Sequence, residues 1–164
     1  MVARGVFFAL TAEEEAGALA RASQQQELVD YVISSIEEKW DEPWLAETDK
    51  TWDAMHRALG DDLFDTEYRS PLHGVVLGGR QLTTEDWYII VYKSAEQVRG
   101  IATAVADVSD DAMRARYFKI DQTQYDYDKD EGDCEATVGW FREVRDFYAR
   151  AAAAGRAVIF AVDQ

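Results

Sequence analysis

Cysteine is almost missing from this chain: Cys134 is the only one. Neither an internal disulfide nor a cysteine-based zinc site can therefore be assembled within it, and a reducing cytoplasm is the expected compartment. Histidine is limited to His56 and His73, and neither belongs to a His-Glu-x-x-His or comparable metal pattern. No metal and no cofactor are expected. No stretch approaches the roughly 20 apolar residues of a membrane span. After Arg4, the short apolar run Val6 to Leu10 gives way to Glu13-Glu14-Glu15, which fits neither a signal peptide nor a transit peptide. Positive charge is also scarce, with 17 basic against 32 acidic residues and a formal charge of −15. That field repels phosphate backbones and anionic membrane surfaces, so neither nucleic acid nor membrane is an expected partner. A basic protein partner would be attracted by it, although acidity equally serves plain solubility.

Apolar residues are well supplied, at 48% of 164 residues, with Trp, Tyr and Phe all frequent. A chain of this length is expected to form one domain spanning 1–164 with a sizeable core.

Residues 5–10 form a short apolar run that ends at Thr11-Ala12-Glu13-Glu14, a capping box, so a strand is expected to lead into a helix. Ser23-Gln24-Gln25-Gln26 offers a second start, after which Leu28, Val32, Ile36 and Trp40 keep helical spacing as far as Pro43. The acidic stretch 37–47 reads as a solvated helix tail plus loop. Thr48 is placed to cap a third helix, with Trp52, Met55, His56 and Leu59 on one buried stripe up to Gly60. Ser70-Pro71 opens a short helix closed by Gly78-Gly79. Residues 87–92 are a buried strand, Ser94-x-x-Gln97 caps the next helix, and Ser109-Asp110-Asp111 starts another. Asp121 to Asp133 is an acidic, Tyr-rich loop. A last helix over about 135–154 precedes a terminal strand at 157–162, whose unbroken hydrophobicity implies cover on both faces. The fold class expected is α+β, a small mixed sheet of N-terminal, middle and C-terminal strands covered by several helices.

Most chemistry-bearing patterns are incomplete. Gly74-x-x-x-x-Gly79 lacks the Lys and Ser or Thr of a phosphate-binding loop, since Arg80-Gln81 follow. Asp126, Asp128 and Asp130 open like a calcium loop but Glu131 and Thr137 stand where Gly and Glu are required. Asp133 and Glu135 flank Cys134 and oppose its thiolate, and no Gly-x-Ser-x-Gly elbow exists. One segment stands out. On a helix, Asp49 and Asp53 fall at i, i+4 with Lys50, Arg57 and His56 nearby, a set suited to general acid/base work. The same residues also make an ion-paired surface above a core stripe.

Asp49-Lys50-x-Trp52-Asp53-x-x-His56, then Pro71-Leu72 leading to Gly78-Gly79, resembles the YfbM-like family of bacterial proteins, a domain of unknown function. Tyr92, Ser94, Glu96 and Val98 are similar to that family's strand-to-helix step, and the aromatic last helix, Gly155 and terminal strand agree. The resemblance implies a compact α+β domain but no catalytic set or cofactor. If the family has a shared site, its matching residues here are Asp49, Lys50, Asp53 and His56, with Trp52 as a wall and Gly78-Gly79 as a close backbone approach. The function expected is a cytoplasmic, non-catalytic acidic module for a basic protein partner, in the manner of an immunity protein. The alternative is an enzyme or small-ligand protein with a cleft beside the Asp49 to His56 helix.

Overall fold

Phe7 and Phe8 are adjacent in sequence and lie in two different hydrophobic cores. Successive side chains of a strand point to opposite faces, so a run apolar at every position needs cover on both. A computed structural model, describing residues 3–84 and 87–163, supplies that cover. Strands β1 (Gly5–Ala9), β2 (Leu45–Asp49), β3 (Arg80–Gln81), β4 (Tyr88–Lys93) and β5 (Val158–Asp163) form one sheet in the order β2-β1-β5-β4-β3. On β5, Val158, Phe160 and Val162 face the larger core and Ile159 and Ala161 the smaller. Helices α1 (Ala12–Ala20) and α2 (Gln25–Val32) close the smaller core. The larger is closed by α3 (Trp52–Leu59), α4 (Ala95–Ala106), α5 (Asp110–Phe118) and α6 (Glu131–Ala153). The α+β class and the N-terminal, middle and C-terminal strands agree with expectation. All four ladders are antiparallel, which corrects the expected mixed sheet.

The strongest local signals hold. Thr11 with Glu14 and Ser94 with Gln97 form complete capping boxes, and Ser109 caps α5. Gly155, just past α6, has a φ of 67°, a conformation open to glycine at little cost. Other local expectations fail for identifiable reasons. Ser23 caps nothing, because α2 starts at Gln25, whose amide bonds the carbonyl of Leu82 and accepts from Thr84 N–H at 2.7 Å. Residues 33–37 continue α2 as a π-helix, and the stretch read as loop contains β2. Thr48 is a strand residue there, its hydroxyl bonded to the Gly5 carbonyl at 2.7 Å, and it caps no helix. The helix expected after Ser70-Pro71 is a single 3₁₀ turn, His73–Val75, although Ser70 Oγ still accepts from His73 N–H. Asp130 caps α6 through Asp133 N–H at 2.8 Å, so the helix takes one turn from the expected acidic loop.

Candidate functional site around the third helix

Asp49 adopts a left-handed φ of 49° at the end of β2, and α3 begins only at Trp52. Asp49 and Lys50 thus occupy a turn, and the i, i+4 carboxylate pair expected on one helix face does not form. What does hold is the stripe: Trp52, Met55, His56 and Leu59 are all buried. Asp53 turns the other way and pairs with Arg57 at 2.6 Å. Burial raises the Asp53 carboxyl above the usual carboxylate range, against the opposing effect of Arg57.

His56 is 1% exposed and makes two backbone contacts. Its Nδ1 accepts from Leu77 N–H at 3.4 Å, which leaves the proton on Nε2, and Nε2–H donates to the Leu63 carbonyl at 3.1 Å. His73, packed edge to face with it at 4.8 Å, donates Nε2–H to the same carbonyl at 2.8 Å. Burial, reinforced by His73, lowers the His56 pKa to about 3.

These contacts belong to a larger pattern. Residues 73–79 cross the core as irregular backbone, and buried peptide groups need partners wherever no ladder supplies them. Tyr148 Oη donates to the Val75 carbonyl at 2.6 Å, the fully buried Lys93 donates to the Val76 carbonyl, and His56 takes Leu77 N–H. Lys93 Nζ lies 5.8 and 5.7 Å from the ring centroids of Phe7 and Phe160. Burial lowers its pKa well below the ordinary lysine value. The two glycines serve the same crossing. A Cβ on Gly78 would stand 2.5 Å from the His73 carbonyl oxygen, and one on Gly79 would stand 2.6 Å from that of Tyr92. Lys93 and Tyr148 were not singled out from the sequence. The signal for Lys93 was its parity with Val91 on β4, which puts both on the larger core's side; Tyr148 carried no polar signal on a helix face read as core.

A cleft of about 490 Å³ does run beside α3, walled by Arg57, Asp61, Asp62, Arg116 and Lys119, but neither Asp53 nor His56 lines it. Two further hollows flank the Asp49-Lys50 turn. One, about 350 Å³, is lined by Tyr127, Asp128, Asp130 and Asp133, with Lys50 Nζ 5.0 Å from the Tyr127 ring centroid. The other, about 430 Å³, is lined by Val6, Trp40, Glu47, Asp49 and Trp140. The structure therefore divides the expected site: Trp52, His56 and Gly78 are buried, Gly79 is half-buried against β4, and Asp49, Lys50 and Asp53 lie toward the outside of the core.

Other candidate chemistry is structural in form. Asp133 accepts from Tyr117 and Tyr125 at 2.6 and 2.7 Å. Cys134 is buried, and burial pushes its thiol pKa up. Among the described residues, no three His, Cys, Asp or Glu side chains are grouped to hold a metal, and no helix is long and apolar enough to cross a membrane.

The fold is similar to the crystal structure of YfbM from Escherichia coli, a protein of unknown function, with a TM-score of 0.64 at 18% identity over 97% of this chain and 99% of that one. No curated protein matches. A model of the domain of unknown function DUF1877 matches residues 1–161, and the chain belongs to that family.

Proposed function

We propose that this chain is a single-domain, non-catalytic bacterial cytoplasmic protein that holds a basic protein partner on the surface around the Asp49-Lys50 turn, an immunity-like mode of action. The observation that carries this is the composition of the two hollows. Glu47, Asp49, Asp128, Asp130 and Asp133 line them together with the rings of Trp40, Tyr127 and Trp140, and Arg4, also on the wall of the second, already pairs with Asp49 at 3.7 Å. Carboxylates with interspersed aromatic rings suit lysine and arginine side chains, by charge and by cation–π contact. Lys50 already rests over Tyr127 in that way. The net charge of −15 adds long-range attraction to the same kind of partner.

The alternative, an enzyme or small-ligand protein using Asp49, Asp53 and His56, has less support. Both His56 ring nitrogens contact backbone, and His56 lines none of the three hollows described above. The test is capture from bacterial extract at low and at high salt, with wild type beside a Glu47→Lys/Asp128→Lys variant. A partner held at low salt, released by salt and lost in the variant supports the proposal. Capture indifferent to both salt and variant would rule it out.

A further inference from the structure

The chain's two histidines share one acceptor, the Leu63 carbonyl, and Leu63 belongs to the loop between α3 and the 3₁₀ turn. That loop lies over both rings. Phe64 meets His56 edge to face at 5.5 Å and stacks under Arg57 at 4.3 Å. The outward side is bare: Leu63 is 48% and Phe64 43% exposed. At its start, Asp61 and Asp62 both take left-handed φ values, 53° and 61°. Ser70-Pro71 marks its far end.

Neither ring can take a second proton where it stands. An imidazolium is a donor at both nitrogens. His56 Nδ1 already faces the N–H of Leu77, so a proton there would point donor at donor. His73 Nδ1 is buried with no partner, and a proton there would find no acceptor. Charge on both rings at 4.8 Å would also be repulsive. The groups facing the pair are few. Asp65 Oδ1 is 3.4 Å from His73 Nε2 and favours a charged ring, Lys93 opposes one on His56, and Arg57 lies beyond Phe64.

We propose that residues 61–65 form an acid-released flap, latched at neutral pH by the two neutral imidazoles on the Leu63 carbonyl and freed when the rings take protons from solvent, while Thr66 stays bonded to Gly79 N–H at 2.9 Å and Tyr68 stays packed on the larger core. Freeing it uncovers the rings and the Trp52 face against which Phe64 packs at 6.2 Å. Leu63 and Phe64 belong to neither core cluster, so their release leaves the helices and the sheet in place.

The test uses the whole chain, taken from pH 7.5 to 4.5. Because the chain has only two histidines, their imidazole resonances are unambiguous reporters. Both resonances are expected to shift in one step, together with rising hydrogen exchange and protease cleavage within residues 61–65. Far-UV circular dichroism stays constant over that step. Asp65→Asn, which removes the carboxylate favouring a charged His73, is expected to move the release to higher pH. His73→Gln, which can still donate to Leu63, is expected to shift it lower. Three results would overturn the proposal: histidines that titrate normally under a protected loop, a loop that stays protected throughout, or loop exposure coinciding with loss of circular dichroism.

Discussion

Lys93 Nζ and the carbonyl of Val76 form a hydrogen bond in which neither partner touches water. Among the described residues no carboxylate pairs with the amine, and the bond satisfies a stranded peptide group. Replacing Lys93 with Met keeps the aliphatic volume and leaves the carbonyl unpaired, a cost of about 1–3 kcal/mol. Lys93→Ala adds a cavity and is expected to cost about 3–5 kcal/mol. The sign of the pH dependence follows from the depressed folded-state pKa: the unfolded chain binds the proton more readily, so the contribution of Lys93 to stability rises with pH up to the unfolded value. Denaturant melts of wild type and Lys93→Met at pH 7 and 9 should therefore show wild type gaining relative to the variant. A gap independent of pH would mean that the buried amine is charged.

Tyr148→Phe removes only the hydroxyl that reaches the Val75 carbonyl. Destabilisation of about 1–2 kcal/mol is expected, with the circular dichroism spectrum unchanged. If the melting midpoint does not move, another group must satisfy that carbonyl.

Gly78 and Gly139 give opposite predictions for one substitution. Alanine at 78 places Cβ 2.5 Å from the His73 carbonyl oxygen and 2.7 Å from its Nδ1, and the backbone must shift. A loss of about 2–4 kcal/mol is expected, or failure to fold. Around Gly139, in the middle of α6, a Cβ meets nothing within 4 Å. Gly139→Ala should stabilise by about 0.5–1 kcal/mol through the helix propensity of alanine. Thermal melts of the two single variants, run side by side, decide both.

Asp53 is held partly buried beside Arg57, and its carboxyl pKa is raised because burial outweighs the pair. A raised folded-state pKa means that folding disfavours the ionised form, so this stability contribution is present below the unfolded pKa and declines as pH rises through it. Asp53→Asn keeps an acceptor for Arg57 and removes the buried charge. At pH 7 it is expected to match wild type or exceed it by up to about 1 kcal/mol, with the advantage vanishing by pH 3. A large loss at pH 7 would show the ion pair to dominate.

The elements that could be read from sequence were those encoded within a few residues. Thr11 to Glu14 and Ser94 to Gln97 each contain both halves of a cap, and β5 announces its two covered faces by being apolar from Val158 to Val162. β2 carried no such signal. Leu45-Ala46-Glu47-Thr48-Asp49 is acidic and short, and it is a strand because β1 lies beside it. The site divided along the same line. The α3 stripe follows from helical spacing, so Trp52 and His56 were correctly placed inward. What His56 bonds to could not be read, because Leu63 and Leu77 reach it through backbone atoms that carry no residue identity. Asp49 was misplaced by the same limit, since a left-handed turn after β2 has no marker in Asp-Lys-Thr.

β5 pairs on one side with β1 and on the other with β4, and among the described residues no other ladder joins the β1-β2 half of the sheet to the β4-β3 half. During synthesis, residues 158–163 are the last of these strands to leave the ribosome. The nascent chain must wait with two half-sheets, each offering an unpaired apolar edge, until the strand between them emerges. Such edges are where aggregation begins. The helices threaded between the strands, four of them (α1, α4, α5 and α6) with side-chain caps of their own, give the waiting chain local structure that needs no distant partner.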